Sequence, residues 1–94
     1  MGISEAAILQ ASANLVSSEV DGEAIILNFS DGTYYGLNAV GARIWGLIQE
    51  PRSFSAIRAA ILEEFNVDEA RCTADLKSIL QDLTTRGLVE ITGG

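Results

Sequence analysis

Leu15–Val20 reads as a first strand in which Val16, Ser18 and Val20 on one side alternate with Leu15, Ser17 and Glu19 on the other. Asp21-Gly22 then offers a two-residue turn, because glycine accepts a positive φ and aspartate tolerates one. A second alternating run follows at 23–29. It sets Ile25, Leu27 and Phe29 on one face and Ala24, Ile26 and Asn28 on the other. Asp31-Gly32 predicts a second tight turn, and Thr33–Leu37 a third strand. Two Asp-Gly turns in succession predict a three-stranded antiparallel meander. The third strand is short and glycine-containing, so it reads as an edge rather than a buried centre.

The period then changes to that of a helix. Asn38 stands where an N-cap is needed, and Leu37, Val40, Gly41, Ile44, Trp45 and Ile48 recur along one face of a helix at 39–49. Gly41 and Gly46 each weaken an isolated helix by about 1 kcal/mol relative to alanine. A close approach of helix to sheet is one reason to keep glycine there. Pro51 ends this region. A second helix at 54–65, capped by Ser53 or Ser55, buries Phe54, Ile57, Ile61, Leu62 and Phe65. Asn66 is placed for a left-handed closing residue, followed by Val67. Asp68 caps a third helix at 69–86, whose stripe is Cys72, Leu76, Ile79, Leu80 and Leu83. Gly87 closes it, and a short final strand fits at 88–92. Strands followed by helices give an α+β, winged-helix-like domain at 14–92. Residues 1–13 carry little pattern and read as a flexible lead-in.

A chain of 94 residues suits a single domain, and 48% apolar residues suffice for one small core. The net charge of −7 opposes nucleic acid phosphates and anionic lipid and favours a neutral or basic partner. With no histidine and one cysteine, neither an ordinary zinc site nor a histidine-based triad can be assembled. Cys72 reads as a small buried apolar residue. No stretch resembles a signal peptide or a membrane span, which points to a cytoplasmic protein.

Asp75 and Asp82 lie on one side of the third helix, and Glu63 and Glu64 sit together on the second. These read as a solvated acidic face, because paired-carboxylate catalysis needs one acid in an apolar pocket. Gly32-Thr33-Tyr34-Tyr35-Gly36 lacks the Gly-Lys-Ser/Thr ending of a phosphate loop. Asp21 and Asp31 lack the further ligands of a calcium loop. The sequence therefore predicts no catalytic residue, no metal site and no cofactor. The second and third helices have the order of a helix-turn-helix, but the reading helix would present Asp75 and Asp82 to phosphate. Asp75, Ile79, Asp82 and Arg86 form a second stripe beside the main one. Both a groove wall and an ordinary amphipathic boundary fit that pattern.

Glu19-Val20-Asp21-Gly22-Glu23-Ala24, then Tyr35-Gly36-Leu37-Asn38-Ala39-Val40-Gly41-Ala42-Arg43-Ile44-Trp45, then Asp75 with Leu80, Leu83 and Gly87-Leu88-Val89, resemble the PqqD family across residues 15–91. The chain also looks like the stand-alone leader-binding subunit of lasso-peptide biosynthesis. The resemblance implies a winged-helix-like fold that is a recognition element for ribosomally made, modified peptides. It implies that a precursor's leader pairs as an added strand with the third strand and packs on the third helix. The residues so implied are Thr33, Tyr34, Tyr35 and Gly36 on the strand, and Asp75, Leu76, Ile79, Asp82 and Leu83 on the helix.

The expected function is thus a non-catalytic adaptor that presents the leader to a maturation enzyme, a leader peptidase in lasso-peptide biosynthesis. A peptide chaperone for a radical SAM enzyme in quinone-cofactor biosynthesis and a winged-helix DNA-binding regulator are the alternatives. The expected partners are the precursor leader and the processing enzyme, with no nucleic acid and no membrane. An uncovered edge strand also allows a homodimer in the absence of ligand.

Overall fold

The computed structural model describes residues 3–13 and 15–93. The predicted meander is present as β2 (Leu15–Val20), β3 (Glu23–Asn28) and β4 (Thr33–Leu37), antiparallel throughout and in the order β2-β3-β4. Asp21 and Gly22 both take positive φ, at 53° and 79°, so the first turn is the expected two-residue hairpin. The second connection is longer than expected. Residues 29–32 form a four-residue loop in which the Gly32 N–H donates to the Asn28 carbonyl at 2.8 Å. The Asp31 carboxylate accepts from the Thr33 N–H at 2.9 Å and fixes the entry to β4.

Three helices follow: α1 (Ala39–Leu47), α2 (Phe54–Glu64) and α3 (Glu69–Thr85). Each begins on a capping side chain that accepts an otherwise unpaired amide. Gly41 N–H donates to Asn38 Oδ1 (2.9 Å), Ala56 N–H to Ser53 Oγ (3.1 Å) and Arg71 N–H to Asp68 Oδ2 (3.0 Å). Each such cap is worth about 1 kcal/mol. Gly87 closes α3 at φ 78°, with its N–H on the Thr84 carbonyl and the Leu88 N–H on that of Leu83. Asn66, expected in a left-handed turn, has no positive φ. The cap of α2 is instead Phe65 in an extended conformation, which starts the link to α3.

The larger departure from expectation lies at the N-terminus. The described part of the lead-in, residues 3–13, is built into the fold: β1 (Ile8–Ala11) is the central strand of a second antiparallel sheet, between β5 (Arg52–Ser53) and β6 (Val89–Thr92). Leu9 is fully buried, with Ile3 and Ala7 beside it in the core. The segment also serves two helix ends. Ala11 N–H donates to the Ile48 carbonyl at the close of α1, and the Ala7 carbonyl accepts from Phe54 N–H at the start of α2. Its partners, at 52–53 and 89–92, are remote in sequence, so local alternation could not reveal it. Ile26, Ile44, Phe54, Leu80 and Leu88 join Leu9 in the single core that both sheets and all helices share.

Candidate functional site

β4 pairs with β3 along one side and, among the described residues, with no strand along the other. An antiparallel strand uses alternate residues for its neighbour, so the remaining N–H and C=O groups of β4 stand on the open edge. Among the described residues the β2 edge is unpaired too. What distinguishes β4 is its surroundings: its open side runs beside α3.

Three hollows follow one another along that helix. The first, of about 290 Å³, lies between Tyr34–Leu37 and the Asp82, Leu83 and Arg86 turn of α3. The second, of about 190 Å³, shares Gly36, Leu37, Asp82 and Leu83 with the first and adds Gly41 and Ile79. The third, of about 90 Å³, shares Ile79 and is otherwise lined by apolar residues of α1, α2, the α2–α3 link and α3 together with Asp75 and Cys72. Together they make a trough from the β4 edge to the junction of α2 and α3. Glycine at 41 lets α1 approach the end of β4 closely there. A methyl group there would stand 3.2 Å from Leu37 Cβ and 3.4 Å from Asn38 Oδ1.

Of the nine residues singled out in the sequence, eight line this trough. Tyr34, Tyr35 and Gly36 bring the strand edge to it. Leu76 and Leu83, both buried, form its floor, and half-buried Ile79 with exposed Asp75 and Asp82 forms its wall. Thr33 stands at the start of β4, outside the lining of the three hollows. Tyr34 and Tyr35 separate as strand alternation requires. Tyr34 projects into solvent, while Tyr35 packs against the core under the Arg86 guanidinium, 5.4 Å from its ring centre.

The acidic stripe is less free than its residues suggest. Asp82 accepts from Arg86 Nε at 3.1 Å, and Asp75 lies 4.0 Å from Arg71, each pair one helical turn apart. Arg86, Leu37, Gly41 and Phe65 also line the trough. Arg86 stood in the sequence on the stripe that fits a groove wall or an amphipathic boundary, while Leu37, Gly41 and Phe65 were read as helix-face and motif residues and not as part of the site. Cys72 lies at the far end, where burial pushes its thiol pKa up. Among the described residues no group of three or more His, Cys, Asp or Glu is gathered to hold a metal. None of the helices is long and apolar enough to cross a membrane.

The family model described as coenzyme PQQ synthesis protein D (PqqD) matches residues 23–89. The chain belongs to the PqqD family. That match spans β3, β4, all three helices and the first residue of β6, and so includes every residue of the trough. Among solved structures, this PqqD-family chain is similar to TbiB1 in complex with the TbiA(beta) leader peptide. The two share 36% identity with a TM-score of 0.82 over 90% of this chain and 99% of the other. It also shares the fold of a lasso peptide synthetase B1 complexed with the leader peptide, at 17% identity and a TM-score of 0.76, over 87% and 96% of the two chains. None of the curated proteins matches the sequence.

Proposed function

We propose that this PqqD-family chain is a leader-peptide adaptor: it binds the leader of a ribosomally made precursor and presents it to a maturation enzyme, a leader peptidase of a lasso-peptide pathway. The observation that carries the reading is the unpaired outer edge of β4 beside the trough on α3. An extended peptide added there completes the sheet through main-chain hydrogen bonds while its alternate side chains enter the trough. Each main-chain bond nets only about 0.5–1.5 kcal/mol. Ordering a free peptide costs several kcal/mol, so apolar anchors must supply the balance at about 25 cal/mol per Å² buried. The succession of hollows over Leu83, Ile79 and Leu76 offers that apolar surface. The likeness to TbiB1, which was solved with a leader peptide, supports the same reading. Asp75 and Asp82 on α3 weigh against a helix that reads DNA.

The family description favours one neighbouring reading, a peptide chaperone for a radical SAM enzyme in quinone-cofactor biosynthesis. The two differ in the enzyme served rather than in the site. Titration of the protein with the synthetic leader from its own gene cluster, followed by amide shift mapping, tests the shared reading. The expected shifts concentrate on Tyr34–Gly36 and on Ile79–Leu83. Shifts confined to β2, or to the β5-β1-β6 sheet, would overturn it. A pull-down of purified leader peptidase against purified radical enzyme separates the two branches.

A further inference from the structure

A strand added to the open edge of β4 carries two alternating sets of side chains. One set enters the trough on α3, and the other lies on the far side of the added strand. What that second set meets turns on Gly36, which shares a cross-strand row with Ile25 of β3 and Ser18 of β2. Glycine inside a strand weakens it, and the fold gives no local reason for one here. Its φ is not positive, unlike those of Gly22, Gly32, Gly87 and Gly93. A methyl group built on it would meet nothing within 4 Å. Gly36 therefore leaves the row open at the edge, the kind of gap across which another chain passes closely.

The gap borders a hollow of about 440 Å³. Val20 and Ile25, 57% and 48% exposed, give it apolar ground, and Asp21 and Glu23 give it an acidic rim. Among the described residues neither carboxylate has an ion-pair partner, and residues 15–37 hold no lysine or arginine. Gly36 and Leu37 line both this hollow and the trough, so one strand on β4 borders both. β3 lies two strand spacings, about 9–10 Å, from such a strand. The long stem of a lysine or arginine crosses that span together with the glutamate's own side chain, and it can lie on apolar surface while its charged head stays in water. A shorter polar side chain stops over Gly36. An aliphatic one covers Ile25 and leaves the carboxylates without a counter-charge, and an acidic one is repelled.

We infer that the hollow across Gly36 is a subsite for one lysine or arginine of the leader, its stem on Ile25 and Val20 and its charge against Glu23 and Asp21. This rests on the adaptor reading above and adds charge recognition to it. The trough reads apolar anchors on one side of the leader strand, and the hollow reads a base on the other. Gly36 sets this specificity, because any side chain there lies across the path of the stem.

The test titrates the full chain with the synthetic leader from its own gene cluster, at about 50 mM and about 500 mM salt, and with a series of leaders in which each lysine or arginine is replaced singly by glutamate. E23K changes an exposed position, and a urea melt checks that it folds. It is expected to bind the leader about fivefold more weakly at low salt, with the loss shrinking at high salt. One leader in the series is expected to lose as much against the wild type and to recover to within about twofold when paired with E23K. G36T is expected to melt no lower than the wild type, since the position is open and threonine suits a strand, and yet to bind the leader about threefold more weakly or worse. A leader without lysine or arginine, affinities within about twofold of wild type for both variants, or a series in which no single leader rescues E23K overturns the inference. Leader binding that I79D weakens while E23K and G36T leave it untouched would keep the adaptor reading and remove only this subsite. Absence of leader binding by the wild type would take down both.

Discussion

Replacing Leu9 by alanine is the sharpest test of the unexpected first strand. Leu9 is fully buried, faces Ile91 and Arg52 across its two neighbouring strands, and lies in the shared core. Core leucine-to-alanine changes cost about 2–5 kcal/mol, more where the surroundings cannot collapse. Strands on both sides hold β1 at fixed spacing, which places this site at about 3–4 kcal/mol. For a domain of this size each kcal/mol lowers Tm by about 4–8 °C, so a fall of about 12–32 °C is expected. Urea unfolding followed by the fluorescence of the buried Trp45 measures the loss directly, and an unchanged slope would show that the two-state description holds. L9M keeps the volume and is expected to lose less than about 1.5 kcal/mol. Q10A, exposed and on the opposite side of the same strand, is the control. If L9A and Q10A melt within a few tenths of a kcal/mol of each other, β1 contributes nothing and the account of the N-terminus is refuted.

Other expectations follow from the trough and its surroundings. I79D places a carboxylate between the second and third hollows and is expected to weaken leader binding by about 2 kcal/mol or more, roughly 30-fold, in a calorimetric titration. Because Ile79 is only half-buried, folding is expected to lose no more than about 1–2 kcal/mol; an unchanged affinity would remove α3 from the site. The hydrogen bond from Arg58, with its charge, holds the Glu5 carboxyl below the ordinary glutamate range. That contribution is present above the unfolded pKa and is lost as pH falls through the depressed folded value. The Tm gap between wild type and E5Q is therefore expected to be full at neutral pH and to close in acid; a gap that widens in acid would contradict the pairing. Cys72, buried and with its thiol pKa raised, is expected to react with Ellman's reagent far more slowly in the folded protein than in the urea-unfolded chain. Equal rates would mean that the far hollow opens.

What was legible in the sequence was whatever local chemistry determines. Asn38, Ser53 and Asp68 announced three helix starts because a cap acts within one turn, and Gly87 announced an end because few other residues adopt its φ. The edge character of β4 followed from its length and from Gly36. What depends on distant partners was not legible. The Ile8–Ala11 segment is a strand because Arg52–Ser53 and Val89–Thr92 flank it. In β3 the alternation sets apolar residues on both faces without ranking them. Ile25, Leu27 and Phe29 form the more apolar set, yet it is Ile26 that enters the core, because α1 packs on that side. The Asp31-Gly32 pair looked like a two-residue turn, but the extra residues Phe29 and Ser30 widen the connection. Eight of the candidate residues meet in one trough because β4 and α3 each follow a simple period. Arg86, from the stripe's last turn, and Phe65, from the α2–α3 link, join them only through tertiary packing.

The pairing of Ile8 with Thr92 has a further use. Neighbouring strands lie about 4.7–4.9 Å apart, so β1 begins and β6 ends almost side by side. A linker that leads from the end of β6 to the segment before β1, keeping Ile3 and Ala7 in the core, would let the chain be circularly permuted, with new ends cut at the Asp21-Gly22 hairpin, or let the whole unit be inserted into a surface loop of a host protein. Either rearrangement keeps the β3–β4 pairing and all three helices continuous, so the recognition element can travel as a cassette.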